Sequence, residues 1–281
     1  MNNPPIKIYE DVKKIYGDIL AEEECERMPI SVEIIRQMVD SYQEKVIGQK
    51  YVMTQIASSL YLLKNKNRQK PVSILFLGES GVGKTETAKF ISECLGNEMV
   101  SVQFSMQQTN EAHKFIFGSE HNEDSLAREL IRRKSNVILL DEFDKVHPSL
   151  YNAFYQMFDE GEFVDANYSV NMEKTIIICT SNYLNEQDAE KHLGMPIYSR
   201  FSKVIKFNDI SIEDRILIAS KIYESLMQKL EDEDATLIID NKILEFFIGH
   251  INKGLYRNIR MLKNDMEDAI NYEILKKLNI I

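Results

Sequence analysis

The stretch Ser73-Ile74-Leu75-Phe76-Leu77-Gly78-Glu79-Ser80-Gly81-Val82-Gly83-Lys84-Thr85 decides the fold of this 281-residue chain. Its first five residues are typical of a buried strand, and residues 85–95 have the apolar spacing of a helix. A GxxxxGKT loop between a strand and a helix is the arrangement that holds nucleotide phosphates. Glycine permits the backbone angles that turn successive N–H groups toward those phosphates.

Each residue of this loop has a predicted task. Lys84 is expected to reach the β- and γ-phosphate oxygens, and Thr85 to coordinate Mg²⁺. ATP and Mg²⁺ are therefore the predicted cofactors. The alternative is a glycine-rich turn, which the full spacing and the correct flanks disfavour. The predicted phosphate contacts come from Gly78, Glu79, Ser80, Gly81, Val82 and Gly83.

Short apolar runs alternate with longer amphipathic segments on both sides of this loop. Strands separated by helices predict βαβ units, so we expect an α/β fold, a parallel-sheet sandwich of the P-loop type. The predicted strands are 73–77, 99–104, 136–140, 175–179 and 204–207.

The rest of the chain is predicted to be helical. Residues 1–45 are charged, and Ser31 is expected to cap a helix that places Ile34 and Met38 on one face. Beyond Asn208 the strand signal disappears, and residues 212–230, 241–250 and 256–278 carry helical periodicity. We expect three domains, which are a helical arm (1–45), a nucleotide-binding α/β domain (46–207) and a small all-helical lid domain (208–281).

Polar residues follow two further core strands. Asp141 and Glu142 come directly after an apolar run, at the strand end where open α/β sheets bind ligands. Asp141 is expected to hold Mg²⁺ through its water shell, and Glu142 to polarise the water that attacks the γ-phosphate. Asn182 follows the next strand and is expected to hydrogen-bond the γ-phosphate or that water. The alternatives are a solvated acidic turn and an ordinary turn asparagine.

Together these motifs resemble the AAA+ superfamily, most closely the second ATPase module of the Clp-type disaggregases and unfoldases. The resemblance covers about residues 40–270. Val46-Ile47-Gly48-Gln49 resembles the family's opening box, which borders the adenine, so Val46 and Ile47 are implied nucleotide contacts. The sequence VILLDEFDKVHP over 137–148 is similar to the extended Walker B segment, and Thr180-Ser181-Asn182 to sensor 1.

Two arginines gain roles only from this resemblance. Arg200 stands at the position of the family's arginine finger, which enters a neighbouring subunit's site and stabilises charge during phosphoryl transfer. The resemblance therefore implies a homo-oligomer such as a ring. Arg257 resembles the sensor 2 arginine, which closes the lid over the nucleotide, and Arg260 is a less suitable substitute. Without the resemblance, Arg200 would be interpreted as a surface arginine and Arg257 as part of a helix-face ion pair.

The chain departs from the Clp pattern between the phosphate-loop helix and the acidic pair. Clp-type modules carry a glycine-flanked aromatic loop there, which lines a central pore and pulls polypeptide through it. The interval here reads FIFGSEHNEDS over 115–125, and it is shorter and lacks that aromatic segment, as in the torsin branch. Phe115 and Phe117 are predicted to be packing residues instead.

Three functions stay open. The leading one is an ATPase that remodels or assembles a protein partner as an oligomer without threading it through a pore. The alternatives are a Clp-like threading unfoldase and a nucleotide-gated switch for a companion effector or nucleic-acid enzyme. The net charge of −10 argues against direct nucleic-acid binding. With no signal peptide, no apolar run of membrane length and three unpatterned cysteines, we expect a cytoplasmic protein without membrane insertion.

Overall fold

The computed structural model describes residues 4–17, 29–104, 109–119, 123–238 and 242–281. In this part of the chain the strands are β1 (Val72–Leu77), β2 (Val100–Gln103), β3 (Val137–Asp141), β4 (Glu162–Val164), β5 (Ser169–Asn171), β6 (Ile176–Thr180) and β7 (Lys203–Lys206). The helices are α1 (Ile6–Tyr16), α2 (Val32–Lys45), α3 (Val52–Leu60), α4 (Lys84–Cys94), α5 (Thr109–Phe117), α6 (Leu126–Arg132), α7 (Asn152–Asp159), α8 (Glu186–Leu193), α9 (Met195–Tyr198), α10 (Ile212–Met227), α11 (Asp232–Leu237), α12 (Lys242–Asn252) and α13 (Ile259–Lys277).

Five strands form one parallel sheet in the order β2-β3-β6-β1-β7. The central strands β1 and β6 are buried along their whole length, because helices cover both faces of the sheet. The predicted strands and the α/β fold are confirmed, with strand ends shifted by at most one residue.

The sheet has a hydrophobic core on each face. Successive side chains of a strand point to opposite faces. Leu75 and Leu77 accordingly pack into the core that includes residues of α5, α6 and α7. Ile74 and Phe76 pack into the core that includes residues of α2, α3 and α4. The result is the three-layer sandwich that the alternating pattern predicts.

Helix α2 belongs to the second of these cores. Ser31 caps it, as predicted, because its hydroxyl accepts the N–H of Ile34 at 3.2 Å. Met38 and Tyr42 are fully buried, and the Tyr42 hydroxyl lies 2.8 Å from that of Thr87 in α4. The domain boundaries stay predictions, and residues 1–3 and 18–28 of the arm lie outside the described residues.

A short antiparallel hairpin, β4–β5, was not predicted. Its strands have three residues each, which is too short for a periodic signal. Asp165 in its loop is buried and accepts the N–H groups of Asn167 and Tyr168, both at 2.7 Å. The same carboxylate accepts the Ser125 hydroxyl at 2.8 Å, and Phe117 O accepts the N–H of Ala166 at 2.9 Å. The hairpin is therefore tied to both ends of the segment between α5 and α6.

Helices α10 to α13 enclose a separate hydrophobic core, which includes the buried residues Phe247, Leu262 and Met266. The predicted helices in this region are confirmed as α10, α12 and α13, and α11 is an addition. None of the described helices is long and apolar enough to cross a membrane.

Candidate functional site

The loop after β1 has the backbone that a phosphate cradle needs. Gly78, Gly81 and Gly83 have φ angles of 141°, 88° and 103°, a region that side-chain-bearing residues avoid. A Cβ on Gly78 would lie 2.9 Å from Phe207 O, so the backbones approach too closely for any side chain. Helix α4 begins at Lys84, directly after this loop, and its N-terminal N–H groups face the loop.

Lys84 is buried within its own loop. Its ammonium donates to the carbonyl oxygens of Gly78 at 2.5 Å and Glu79 at 2.7 Å. Burial lowers the pKa of Lys84 to about 8, although the negative charges of Asp141, Asp144 and Glu142 act to raise it. Thr85 is the next helical residue and is half-buried.

The acidic pair is organised by a hydroxyl that was not predicted to have a role. Thr180 at the end of β6 donates to Asp141 Oδ1 at 2.5 Å and accepts the N–H of Glu142 at 2.9 Å. Glu142 has φ 55° and ψ 44°, a left-handed conformation that costs a non-glycine residue about 1–3 kcal/mol. The Thr180 hydroxyl thus holds the strained turn in place.

Asp144 is a further carboxylate at this turn that was not predicted. Its side chain is 6% exposed, and burial raises its pKa. The backbone N–H of Asn182 acts to lower this pKa, and the Oδ1 atom of Asp144 has no hydrogen-bond partner among the described residues. The Asn182 side chain is exposed. The structure therefore places Asn182, two residues after β6, near the acidic turn after β3.

The opening box lies against the loop. Val46 is buried, and a Cβ on Gly83 would lie 3.1 Å from its side chain; Ile47 is 9% exposed. Gln49 is also buried and donates to the carbonyl oxygens of Val82 at 3.2 Å and Asn208 at 2.7 Å. The side chain of Gln49 had no predicted role, because its partners are far away in sequence.

The start of α13 reaches the other side of the loop. Asn258 caps this helix by accepting the N–H of Arg260 at 2.9 Å. Its Oδ1 atom would lie 3.3 Å from a Cβ on Gly81. Arg257 precedes the cap and is exposed, as is Arg260. The chain segment that carries Arg257 is thus next to the loop.

Arg200 lies at the opposite end of the sheet. Its carbonyl oxygen accepts the hydroxyl of Ser73, near the start of β1, at 2.9 Å, whereas Gly78 follows the end of β1. Five residues at about 3.3 Å each separate these two points by about 16 Å. The structure therefore separates Arg200 from the loop of its own chain.

Two side chains hold the guanidinium of Arg200. Its Nε donates to Asp159 Oδ2 at 2.6 Å, and its Cζ lies 4.3 Å from the ring centre of Tyr155. The Pro196 carbonyl oxygen accepts from its Nη1. The guanidinium has a fixed place on the surface formed by α7 and α9.

Comparison with protein families supplies independent evidence. The family model described as AAA domain (Cdc48 subfamily) matches residues 69–233. The chaperone protein ClpB of Malacoplasma penetrans is 31% identical over 268 residues, which cover 85% of this chain and 38% of that relative. The chaperone protein ClpB of Mycoplasmoides gallisepticum is 30% identical over 227 residues, or 73% of this chain and 32% of the relative. The chain thus spans about a third of the length of these curated relatives.

Solved structures share the same fold. One is described as "Closed State CryoEM Reconstruction of Hsp104:ATPyS and FITC casein", with a TM-score of 0.70 and 22% identity. Another is the S. cerevisiae Hsp104-ADP complex, with a TM-score of 0.68 and 22% identity. Each match covers 96% of this chain and 52% of the other.

Proposed function

Because the chain belongs to the AAA domain family (Cdc48 subfamily) and is therefore an ATPase, we propose that it binds Mg-ATP at residues 78–85 and uses hydrolysis, as an oligomer, to remodel or assemble a protein partner. The observation that carries the oligomeric part is the position of Arg200. It lies at the end of β1 opposite the phosphate loop, so a site that uses this arginine receives it from a neighbouring chain.

The residues around the loop fit the nucleotide and its metal. The three glycines leave room where side chains would collide with Phe207, Val46 or Asn258. The Lys84 ammonium would leave the carbonyl oxygens of Gly78 and Glu79 and bond phosphate oxygens instead. Val46 and Ile47 of the opening box would contact the nucleotide. Thr85 and Asp141 present the oxygen ligands that Mg²⁺ prefers. When bound, Mg²⁺ neutralises charge on the phosphate oxygens.

The acidic turn would carry the hydrolytic step. Glu142 would orient and polarise the attacking water from the left-handed turn that its backbone forms. Thr180 holds Glu142 and Asp141 together, and Asn182 would bond the water or the γ-phosphate from the adjacent strand end. Arg257, next to the opposite side of the loop, would join the nucleotide to the helical part.

The proposed client is a protein. The relatives are named chaperones, and one of the solved structures contains casein. Phe115 and Phe117 pack against the core, and Asp165 and Ala166 of the β4–β5 hairpin bond Ser125 and Phe117 at the two ends of the following segment. These contacts support remodelling without an aromatic gripping loop, although residues 120–122 lie outside the described residues.

A mixing experiment tests the shared site. The Glu142→Gln chain has an inactive site but can still supply Arg200 to a neighbour. The Arg200→Ala chain keeps the residues of its own site but has no arginine to supply. Each should hydrolyse ATP poorly alone, and a mixture should regain activity because Arg200 of one chain completes the site of the other. Fluorescence transfer between the two labelled chains establishes that they assemble. Assembled mixtures that stay inactive would contradict the shared site.

Processive unfolding is a separate question. With ATP, the active oligomer is expected not to unfold a tagged fluorescent reporter processively. Robust unfolding would favour the threading alternative. A pull-down with Glu142→Gln, which should keep ATP bound, would identify the client. Slow turnover with tight ATP-dependent association to an effector would instead favour the nucleotide-gated switch.

A further inference from the structure

The side-chain amide of Gln49 joins three backbone groups from two distant segments. Its Nε2 donates to Val82 O at 3.2 Å and to Asn208 O at 2.7 Å, and its Oε1 accepts the N–H of Asn208 at 3.2 Å. The residue is 2% exposed. Both amide protons are thus used, and no water competes for them.

The first partner lies in the phosphate loop. The Val82 carbonyl belongs to the peptide group whose N–H is that of Gly83. In a trans peptide the carbonyl and the N–H point in opposite directions. When Gln49 holds Val82 O, it therefore aims the Gly83 N–H to the other side, where the loop would receive phosphate.

The second partner lies at the start of the helical part. Phe207 is still attached to the sheet, because its N–H donates to Leu77 O at 2.8 Å. Helix α10 begins shortly afterwards, capped by Ser211, whose hydroxyl accepts the N–H of Asp214 at 3.0 Å. Rotation of the helical part relative to the sheet must therefore occur at or just after Asn208. Gln49 pairs with both the N–H and the C=O of this residue.

We propose that Gln49 is a positioning residue that couples the phosphate loop to the hinge at Asn208, so that the orientation of the Val82–Gly83 peptide sets the position of the helical part. A buried amide that loses one partner is destabilised by its unmet hydrogen bond. A shift of the Val82 peptide when phosphate binds would therefore draw the Gln49 amide and Asn208 with it. The inference rests on the nucleotide binding proposed above.

Two variants separate coupling from simple packing. Gln49→Met keeps the length and volume of the side chain but has no amide. Gln49→Glu keeps an acceptor for the Asn208 N–H but cannot donate to either carbonyl when ionised. The matched control is Gln37→Met, which changes an exposed glutamine on α2. Circular dichroism and thermal melting show whether each variant folds.

The readout is fluorescence transfer between dyes on the sheet part and the helical part. Lys191→Cys and Lys253→Cys introduce exposed labelling sites, with Cys25 and Cys94 replaced by Ser. The probe is Mg-ATPγS at saturating concentration. The parent chain and the Gln37→Met control should change transfer on binding. Gln49→Met and Gln49→Glu should bind ATPγS about tenfold more weakly, because each loses the one hydrogen bond that holds the phosphate loop, to Val82 O. At saturation both should lose the change in fluorescence transfer.

The coupling would be overturned if Gln49→Met, saturated with Mg-ATPγS, showed the same change in fluorescence transfer as the parent chain. It would also be overturned if the parent chain bound Mg-ATPγS without any change in fluorescence transfer. A parent chain that fails to bind would overturn the proposed function as well, so the two failures are distinguishable. If neither variant folds, the test is amide hydrogen exchange of the unmodified chain, measured with and without ATPγS. The Asn208 amide should then change its exchange rate on ATPγS binding, and an unchanged rate would overturn the coupling.

Discussion

Lys84 should make nucleotide affinity depend on pH. Its pKa is lowered to about 8 because it is buried, whereas bound phosphates favour the ammonium form. Above pH 8 the chain must therefore take up a proton to bind ATP. We expect the affinity to fall by up to about tenfold per pH unit above that point. A fluorescent ATP analogue titrated between about pH 7 and 9.5 measures this.

The same group has the opposite effect on the ligand-free fold. Its folded pKa of about 8 lies below the unfolded value of about 10.4. The unfolded chain therefore binds more protons between these pH values, and the contribution of Lys84 to stability rises with pH in this window. In Lys84→Met, the pH dependence that Lys84 gives to nucleotide affinity and the one it gives to the free energy of unfolding should both disappear. A variant that kept the wild-type pH dependence of stability would show that another group titrates.

Thr180 is the residue through which the acidic turn can be tested. Thr180→Val keeps the shape but removes the bonds to Asp141 and Glu142. The loss of a hydrogen bond to a charged group, about 1.5–3 kcal/mol, should lower kcat by about 10- to 100-fold. Nucleotide affinity should change much less.

The matched control is Thr180→Ser, which retains the hydroxyl and should keep most of the activity. Steady-state ATPase rates and equilibrium binding give kcat and affinity separately. An unchanged kcat in Thr180→Val would show that the turn holds Glu142 without this hydroxyl.

At the scale of elements, the β4–β5 hairpin and the segment after α5 should behave as one unit. Asp165→Ala removes a carboxylate that accepts from Ser125, Asn167 and Tyr168. Leaving such donors unmet should lower the free energy of unfolding by about 1–3 kcal/mol. Hydrogen exchange should also become faster in the hairpin and around residues 117–125 together.

Asp124→Ala is the control for that change. Its carboxylate is exposed, and its ion pair with Arg128 at 3.8 Å contributes little in water. Its unfolding free energy should stay close to that of the parent. If exchange in Asp165→Ala rose in the hairpin alone, the two segments would be independent.

Elements with a strong local pattern could be predicted from the sequence. The buried strands, the glycine loop and the long helices depend on residues that are near one another in the chain. The three-residue strands β4 and β5 give no period to detect. The hydrogen bonds made by Thr180 and Gln49 join residues 33 to 159 positions apart. Only the folded chain, through the register of β3 against β6 and the path after β7, brings these residues together.

At the scale of the whole molecule, ATP hydrolysis should depend on assembly. If Arg200 is supplied by a neighbour, the rate per chain should rise with protein concentration until the oligomer is complete. Arg200→Ala should bind ATP with nearly normal affinity, yet show a low rate at every concentration. Parallel light scattering relates the rate to the mass of the assembly. A rate per chain that is independent of concentration while the mass changes would contradict a shared site.

If Arg200 serves the site of a neighbour, its separation from the phosphate loop along β1 gives the molecule a donor face and a receptor face. Contacts between unlike faces are heterologous, so copies would then join head to tail. Such a chain closes into a ring when the rotation between neighbours divides a full turn, and otherwise continues as a helix. A copy with only one working face would end the series, and each such break would leave one site without the arginine of a neighbour.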